Sequence, residues 1–194
     1  MGSTEQSTQP AYSAPPETVT FDGLLFDMDG TIIDSTAAVV KHWESVGNEI
    51  GVDPAVILET SHGRRSIDML KVLAPEKANW EYVQHMEGLL PKHYSEDAVE
   101  IPGARPLLEQ LIARSAPWTI VTSGTVPLVT GPRGHPAGKA AGCRVLAVVT
   151  SHTAEQVLAA GPDWVVRDLS SVRLVSVDEE RGAVTLEVRD ALVV

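Results

Sequence analysis

The stretch "LLFDMDGTIID", residues 24–34, constrains the chain more than any other. An apolar run ends in two acids one residue apart. Gly30 and Thr31 follow, then two isoleucines and a third acid. A short apolar run that stops at a glycine turn reads as a strand with a buried far end. Here it is the distal part of "VTFDGLLFD". Asp27 and Asp29 therefore stand at a strand tip. Two carboxylates at i and i+2 can divide a reaction, one attacking and the other giving and taking protons. So close together they repel, and a divalent cation relieves that repulsion. A solvated aspartate-rich turn, which Asp-Gly often marks, explains the spacing equally well.

The segments that follow alternate in period. "STAAVVKHWESVGNEIG" reads as a helix capped by Ser35 or Thr36, striped by Val39, Trp43, Val46 and Ile50, and ended by Gly51. "PAVILE", "RRSIDMLKVLAP" and "NWEYVQHMEGLLPKHY" continue as helices punctuated by Pro54, Pro75 and Pro91. Residues 35–99 thus form a helical block. "PGARPLLEQLIARS" is a further helix with Leu107, Leu108, Leu111 and Ile112 on one side. "WTIVTSGT" and "CRVLAVVT" are short apolar strands. "TAEQVLAAG" carries a capping box in Thr153 and Gln156, "DWVV" is a short strand, and "RLVSVDEERGAVTLEV" is a hairpin. Short apolar strands alternating with amphipathic helices indicate an α/β fold, a Rossmann-like parallel sheet covered on both faces. Ligands of such sheets bind at the carboxyl ends of the strands. That end collects Asp27 and Asp29 from one strand and Thr122, Ser123 and Gly124 from another. Hydroxyls and backbone N–H groups at such a turn suit a phosphoryl group.

Composition narrows the partners. The net charge of −11 argues against nucleic acid and anionic membrane surfaces. No stretch approaches the 18 or so apolar residues of a membrane span. The single cysteine, Cys143, excludes an internal disulfide framework, fits a reducing compartment, and reads as a small core residue beside its apolar run. "MGSTEQSTQPAYSAPPETV" has no apolar signal region, and residues 1–18 read as a disordered leader. His42, His85, His93 and His152 form no ligand-like cluster and read as surface or packing residues.

"FDMDGTIIDS" resembles the D-x-D-G-T signature of the haloacid dehalogenase-like hydrolase superfamily. "SHGRRSIDML", "IPGARPLLEQL", "WTIVTSGT" and "AGKAAGCRVLAVVTSHTAEQVLAAGPDWVVRDLSSV" resemble, more narrowly, its phosphatases of small sugars and polyols, those acting on glycerol phosphate or 2-deoxyglucose 6-phosphate. The resemblance implies a core over 19–34 and 100–194 with a helical cap over 35–99. It implies Asp27 as nucleophile and Asp29 as the acid and base. Mg²⁺ would be held by the Asp27 carboxylate and the Asp29 carbonyl. Thr122, with backbone N–H groups near Ser123 and Gly124, would hold the phosphoryl group. Arg64 and Arg65, in "HGRR" with His62 and Gly63, would face a small phosphorylated sugar or polyol; a solvated helix start is the plainer account of both arginines. The resemblance implies a cytoplasmic protein and leaves oligomeric state open.

The same resemblance calls for two parts that are hard to find here: a lysine after the Thr122 strand, and a strand ending in an acidic pair. Only 20 residues separate Thr122 from Cys143, and one strand–helix–strand unit alone takes about 30. The expectation is an internal deletion near 131–136, with the core lacking one or more strand–helix units. Lys139 or Arg133 is the available stand-in for the lysine, and Asp163 or Asp168 for the acid. The alternative to a phosphatase is a catalytically inactive remnant that binds at most a ligand or a protein.

Overall fold

The computed structural model describes residues 11–61, 64–121, 143–150 and 152–193. Fifteen named elements matter for the site. The expected first strand is two strands. β1 (Glu17–Phe21) and β2 (Leu24–Phe26) are separated by Asp22 and Gly23 and join different sheets. β1 pairs antiparallel with the C-terminal hairpin, and β2 pairs parallel with β5 (Trp118–Ile120). The break follows from partners: Val19 faces Leu186 and Leu25 faces Thr119, and one straight strand cannot serve both. Glu17 and Thr18, assigned above to the leader, lie in β1. Further upstream, Tyr12 bridges Leu192, and Ala14 N–H bonds the Ala191 carbonyl at 3.0 Å.

After the acidic loop comes β3 (Ile33–Asp34), which pairs antiparallel with β4 (Val99–Glu100). This two-residue ribbon closes the neck of the helical block. The block holds α1 (Thr36–Ile50), α2 (Pro54–Ser61), α3 (Ser66–Leu73) and α4 (Trp80–His93). α1 ends at Gly51 in the left-handed conformation, and α4 starts at Asn79, whose side chain accepts from the Tyr82 N–H at 2.9 Å. Pro91 does not end α4; it sits inside the last turn. The block has its own core. Trp43 and Val46 of α1 meet Ile57, Ile67, Leu70, Val83 and Met86, and each such burial is worth about 1.5–3 kcal/mol.

The α/β part begins with α5 (Ala104–Ala113). Leu107 and Leu111 are buried, as the helical stripe predicts, but Ile112 points to solvent, because successive helical residues lie about 100° apart. β6 (Leu146–Val148) pairs parallel with β7 (Trp164–Val166) through α6 (Ala154–Ala159), whose Thr153–Gln156 capping box is present. β8 (Val172–Asp178) and β9 (Ala183–Val188) form the expected hairpin, with a register shift between Leu174 and Ser176. The parallel strands thus stand as two pairs, β2–β5 and β6–β7, with no ladder joining them among the described residues. What joins them is side-chain packing. Leu146 and Val148 of β6 pack on the cluster formed by Phe26, Met28, Ile32, Leu107, Leu111, Leu174, Val184 and Leu186. Cys143 is exposed rather than buried, because it lies before that apolar run begins.

Candidate active site

Phe26 is buried at the end of β2, and Asp27 and Asp29 follow it, each half-buried, on either side of buried Met28. The alternation is that of an extended chain that keeps one face in the core. The loop then winds tightly on itself. The N–H groups of Thr31, Ile32 and Ile33 all donate to the Met28 carbonyl, at 3.2, 2.8 and 3.0 Å. Gly30 sits at φ 77°, where a residue with a Cβ is strained, and its N–H donates to the Ile33 carbonyl at 2.7 Å. This is the local reason for glycine after the second acid.

Each carboxylate is oriented. Asp27 Oδ1 accepts from the Met28 N–H at 2.6 Å. Asp29 Oδ1 accepts from the hydroxyl of Ser35, which is itself buried. Ser35 thus serves the acid and makes no side-chain cap to α1. Instead Asp34 Oδ1 accepts from the Thr36 N–H at 3.0 Å. β5 runs parallel beside β2, and Val121 N–H donates to the Phe26 carbonyl at 3.0 Å, so the chain reaches residue 121 next to Asp27. Thr122, Ser123 and Gly124 lie outside the described residues, as do His62, Gly63, Arg133 and Lys139.

Arg64 and Arg65 stand exposed at the start of α3, in the helical block. Arg65 is turned back on its own helix: its Nε donates to Asp68 at 2.7 Å, which holds the Asp68 carboxyl below the usual aspartate range, with Lys71 adding to the effect. Behind them, Ser66 donates to buried Glu87 of α4 at 2.6 Å, pinning the start of α3. The acids considered as surrogates are committed elsewhere. Asp163 accepts from the Val145 N–H at 2.7 Å, before β6 begins, so it stands at the opposite end of that strand from Thr150, about 16 Å away along it. Asp168 caps a 3₁₀ turn by accepting from the Ser170 N–H at 2.9 Å.

One residue at this site has no local signal in the sequence. Thr150, two residues past β6, donates its hydroxyl to the Gly30 carbonyl. It is separated from Gly30 by 120 positions, so neither periodicity nor motif spacing could have placed it there.

The site chemistry is that of hard oxygen donors, which suits Mg²⁺. Among the described residues no group of three or more His, Cys, Asp or Glu converges. A Mg²⁺ ion commonly takes one or two protein carboxylates and completes its shell with water and a substrate phosphate, and the oxygens of Asp27 and Asp29, which follow β2, are donors of that kind.

The family model for haloacid dehalogenase-like hydrolases matches residues 24–130. The chain belongs to this family. It is 27% identical to glycerol-1-phosphate phosphohydrolase 1 of Saccharomyces cerevisiae, over 91% of this chain and 94% of that one. It is 28% identical to 2-deoxyglucose-6-phosphate phosphatase 2 of the same yeast, over 84% and 94%. With hexitol phosphatase A of Escherichia coli the identity is 34%, over 55% of this chain and 50% of that one. The first of these alignments runs over 235 positions, more than the 194 residues of this chain, so the yeast hydrolase carries residues with no counterpart here. Among solved structures, a hydrolase from Pseudomonas syringae superposes with a TM-score of 0.59 at 17% identity, covering 76% of this chain and 94% of that one. A haloacid dehalogenase-like hydrolase from Bacteroides fragilis does so at 0.58. Both show the same α/β fold. No helix among the described residues is long and apolar enough to cross a membrane.

Proposed function

We propose that this chain hydrolyses phosphate monoesters of small sugars or polyols. The observation that carries the proposal is the loop at the carboxyl end of β2, where Asp27 and Asp29 stand one residue apart, each held by a hydrogen bond, with β5 in parallel beside them. The yeast relatives named above support the substrate class.

In this reading an Asp27 oxygen attacks phosphorus and the bond from phosphorus to the sugar oxygen breaks. The departing alkoxide takes a proton from the Asp29 carboxyl, which Ser35 orients. Water then attacks the aspartyl-phosphate, Asp29 takes its proton, and inorganic phosphate leaves with Asp27 restored. Mg²⁺ at the Asp27 carboxylate and Asp29 carbonyl would offset the negative charge that meets there. Thr122, Ser123 and Gly124 would receive the phosphoryl oxygens. Arg64 and Arg65 would face the leaving group from residues 35–99, the cap on a core of 19–34 and 100–194. Arg65 must first leave Asp68. The family resemblance points to the cytoplasm, and a chain with one cysteine suits a reducing compartment.

A second reading, a catalytically inactive remnant, is favoured by one observation: no third metal-ligating side chain converges on the loop among the described residues. The shortened stretch between Thr122 and Cys143 bears on the same point. Phosphate release from glycerol phosphate and 2-deoxyglucose 6-phosphate, with Mg²⁺ and with EDTA, separates the two. The expected result is turnover that EDTA removes and that Asp27→Asn lowers by at least ~10³-fold. Folded protein that releases no phosphate from either ester, nor from other small sugar and polyol phosphates, favours the remnant.

A further inference from the structure

We infer that Thr150 is a positioning residue for the Asp27–Asp29 loop, fastening it to the β6–β7 half of the sheet. The loop satisfies most of its own backbone: three N–H groups close on the Met28 carbonyl and the Gly30 N–H closes on Ile33. The left-handed turn at Gly30 points that residue's own carbonyl out of this internal set, and Gly30 is buried. A buried carbonyl needs a donor, and the Thr150 hydroxyl supplies it.

Thr150 is suited to act as an anchor because the chain leading into it is held. The preceding Val149 N–H donates to the Val166 carbonyl at 3.0 Å, β6 is laddered to β7, and β7 is tied onward through the Leu192 N–H to the Val165 carbonyl at 2.8 Å. With no ladder between β2 and β6 among the described residues, the Thr150–Gly30 bond is the polar complement to the packing of Leu146 and Val148 on the Phe26 cluster. It fastens the turn that immediately follows Asp29.

The kinetic part of the test rests on the proposed function; the structural part does not. Hydrogen–deuterium exchange of the full chain is followed in peptides covering 24–36, in the wild type, Thr150→Val and Thr150→Ser. Valine keeps the shape and removes the donor, and serine keeps the donor. The expected result is exchange about tenfold faster at Gly30–Ile33 in Thr150→Val, with Thr150→Ser close to wild type and the α1–α4 peptides unchanged. Where the wild type turns over, kcat falls in Thr150→Val with KM little altered, and serine restores it. Unchanged exchange in Thr150→Val overturns the inference, as does a uniform rise across all peptides. Faster loop exchange in a chain that never releases phosphate upholds the inference and overturns the proposed function instead. If Thr150→Val does not fold, Thr150→Ala is compared with Thr150→Ser: faster exchange at Gly30–Ile33 in alanine but not in serine upholds the inference, and equal exchange in the two overturns it.

Discussion

At the scale of single residues, the least replaceable position outside the acidic loop is Gly103. It sits at φ 84° as the residue before α5, pressed against the 3₁₀ turn Leu169–Ser171. A Cβ there would meet Ser170 N at 2.1 Å and the Leu169 carbonyl carbon at 2.2 Å. Those atoms are backbone and cannot swing aside. Gly103→Ala is therefore expected to lose on the order of 3 kcal/mol or more, from strain and overpacking together, read as a lower urea midpoint. A midpoint within experimental error of wild type would show that α5 and the turn separate freely. No pattern in "IPGARP" announces this role, since the contact is with residues more than 60 positions away. The acids, by contrast, were legible: the D-x-D-G-T run is local, and Gly30 does what a glycine in that place must do. Their supports were not. Ser35 has the composition of a helix cap yet bonds Asp29, and Thr150 reaches Gly30 across 120 positions.

At the scale of elements, legibility tracks how local the cause is. Gly51 ends α1, the capping box starts α6, and the β8–β9 hairpin closes around its charged turn, all from signals within a few residues. The split of β1 from β2 is a tertiary event decided by β9 and β5, and periodicity alone drew one strand. Between the helices, charge adds a pH-dependent tie. Lys77 donates to Glu49 of α1 at 2.6 Å, and the hydroxyl of Tyr82 on α4 donates to the same oxygen at 3.1 Å. The Lys77 bond holds the Glu49 carboxyl below its usual range against a smaller opposing effect of burial. The same bond raises the Lys77 ammonium, while burial first and Glu49 second raise the Tyr82 phenol. A lowered carboxylate stabilises the fold above its unfolded pKa, about 4.3, and loses that contribution as pH falls through the folded value. The raised lysine contributes below its unfolded pKa and loses its part only in strong alkali. At neutral pH both contributions are present. Glu49→Gln is thus expected to lower the denaturation midpoint slightly at pH 7, since Glu49 is about half exposed and solvent screens the pair. The gap to wild type should narrow progressively as pH falls below the unfolded carboxylate value. A gap of constant size through the acid range would mean that packing, not charge, accounts for it.

At the scale of the whole molecule, a parallel sheet divided into pairs leaves strand edges that need cover. β2 has one ladder among the described residues, to β5, and its central Leu25 is 61% exposed. An exposed apolar residue on a strand with no second ladder among the described residues is a template for association. The net charge of −11 acts against this, because two copies repel before their edges meet. Repulsion between exposed charges is screened by salt while the apolar contact is not: the Debye length falls from ~30 Å at 0.01 M to ~3 Å at 1 M. The chain is therefore expected to sediment as a monomer in dilute buffer and to gain weight-average mass as NaCl rises across that range. Leu25→Lys, which places a charge on the edge, should flatten the dependence while leaving the α1–α4 core and its exchange protection intact. A mass that stays constant with salt in the wild type would mean that the exposed face of β2 is not adhesive and that the packing of β6 on the Phe26 cluster is cover enough. A mass that rises equally in both proteins would move the adhesive surface elsewhere, with Val72 of α3 and Ile112 of α5, 74% and 62% exposed, as the next positions to change.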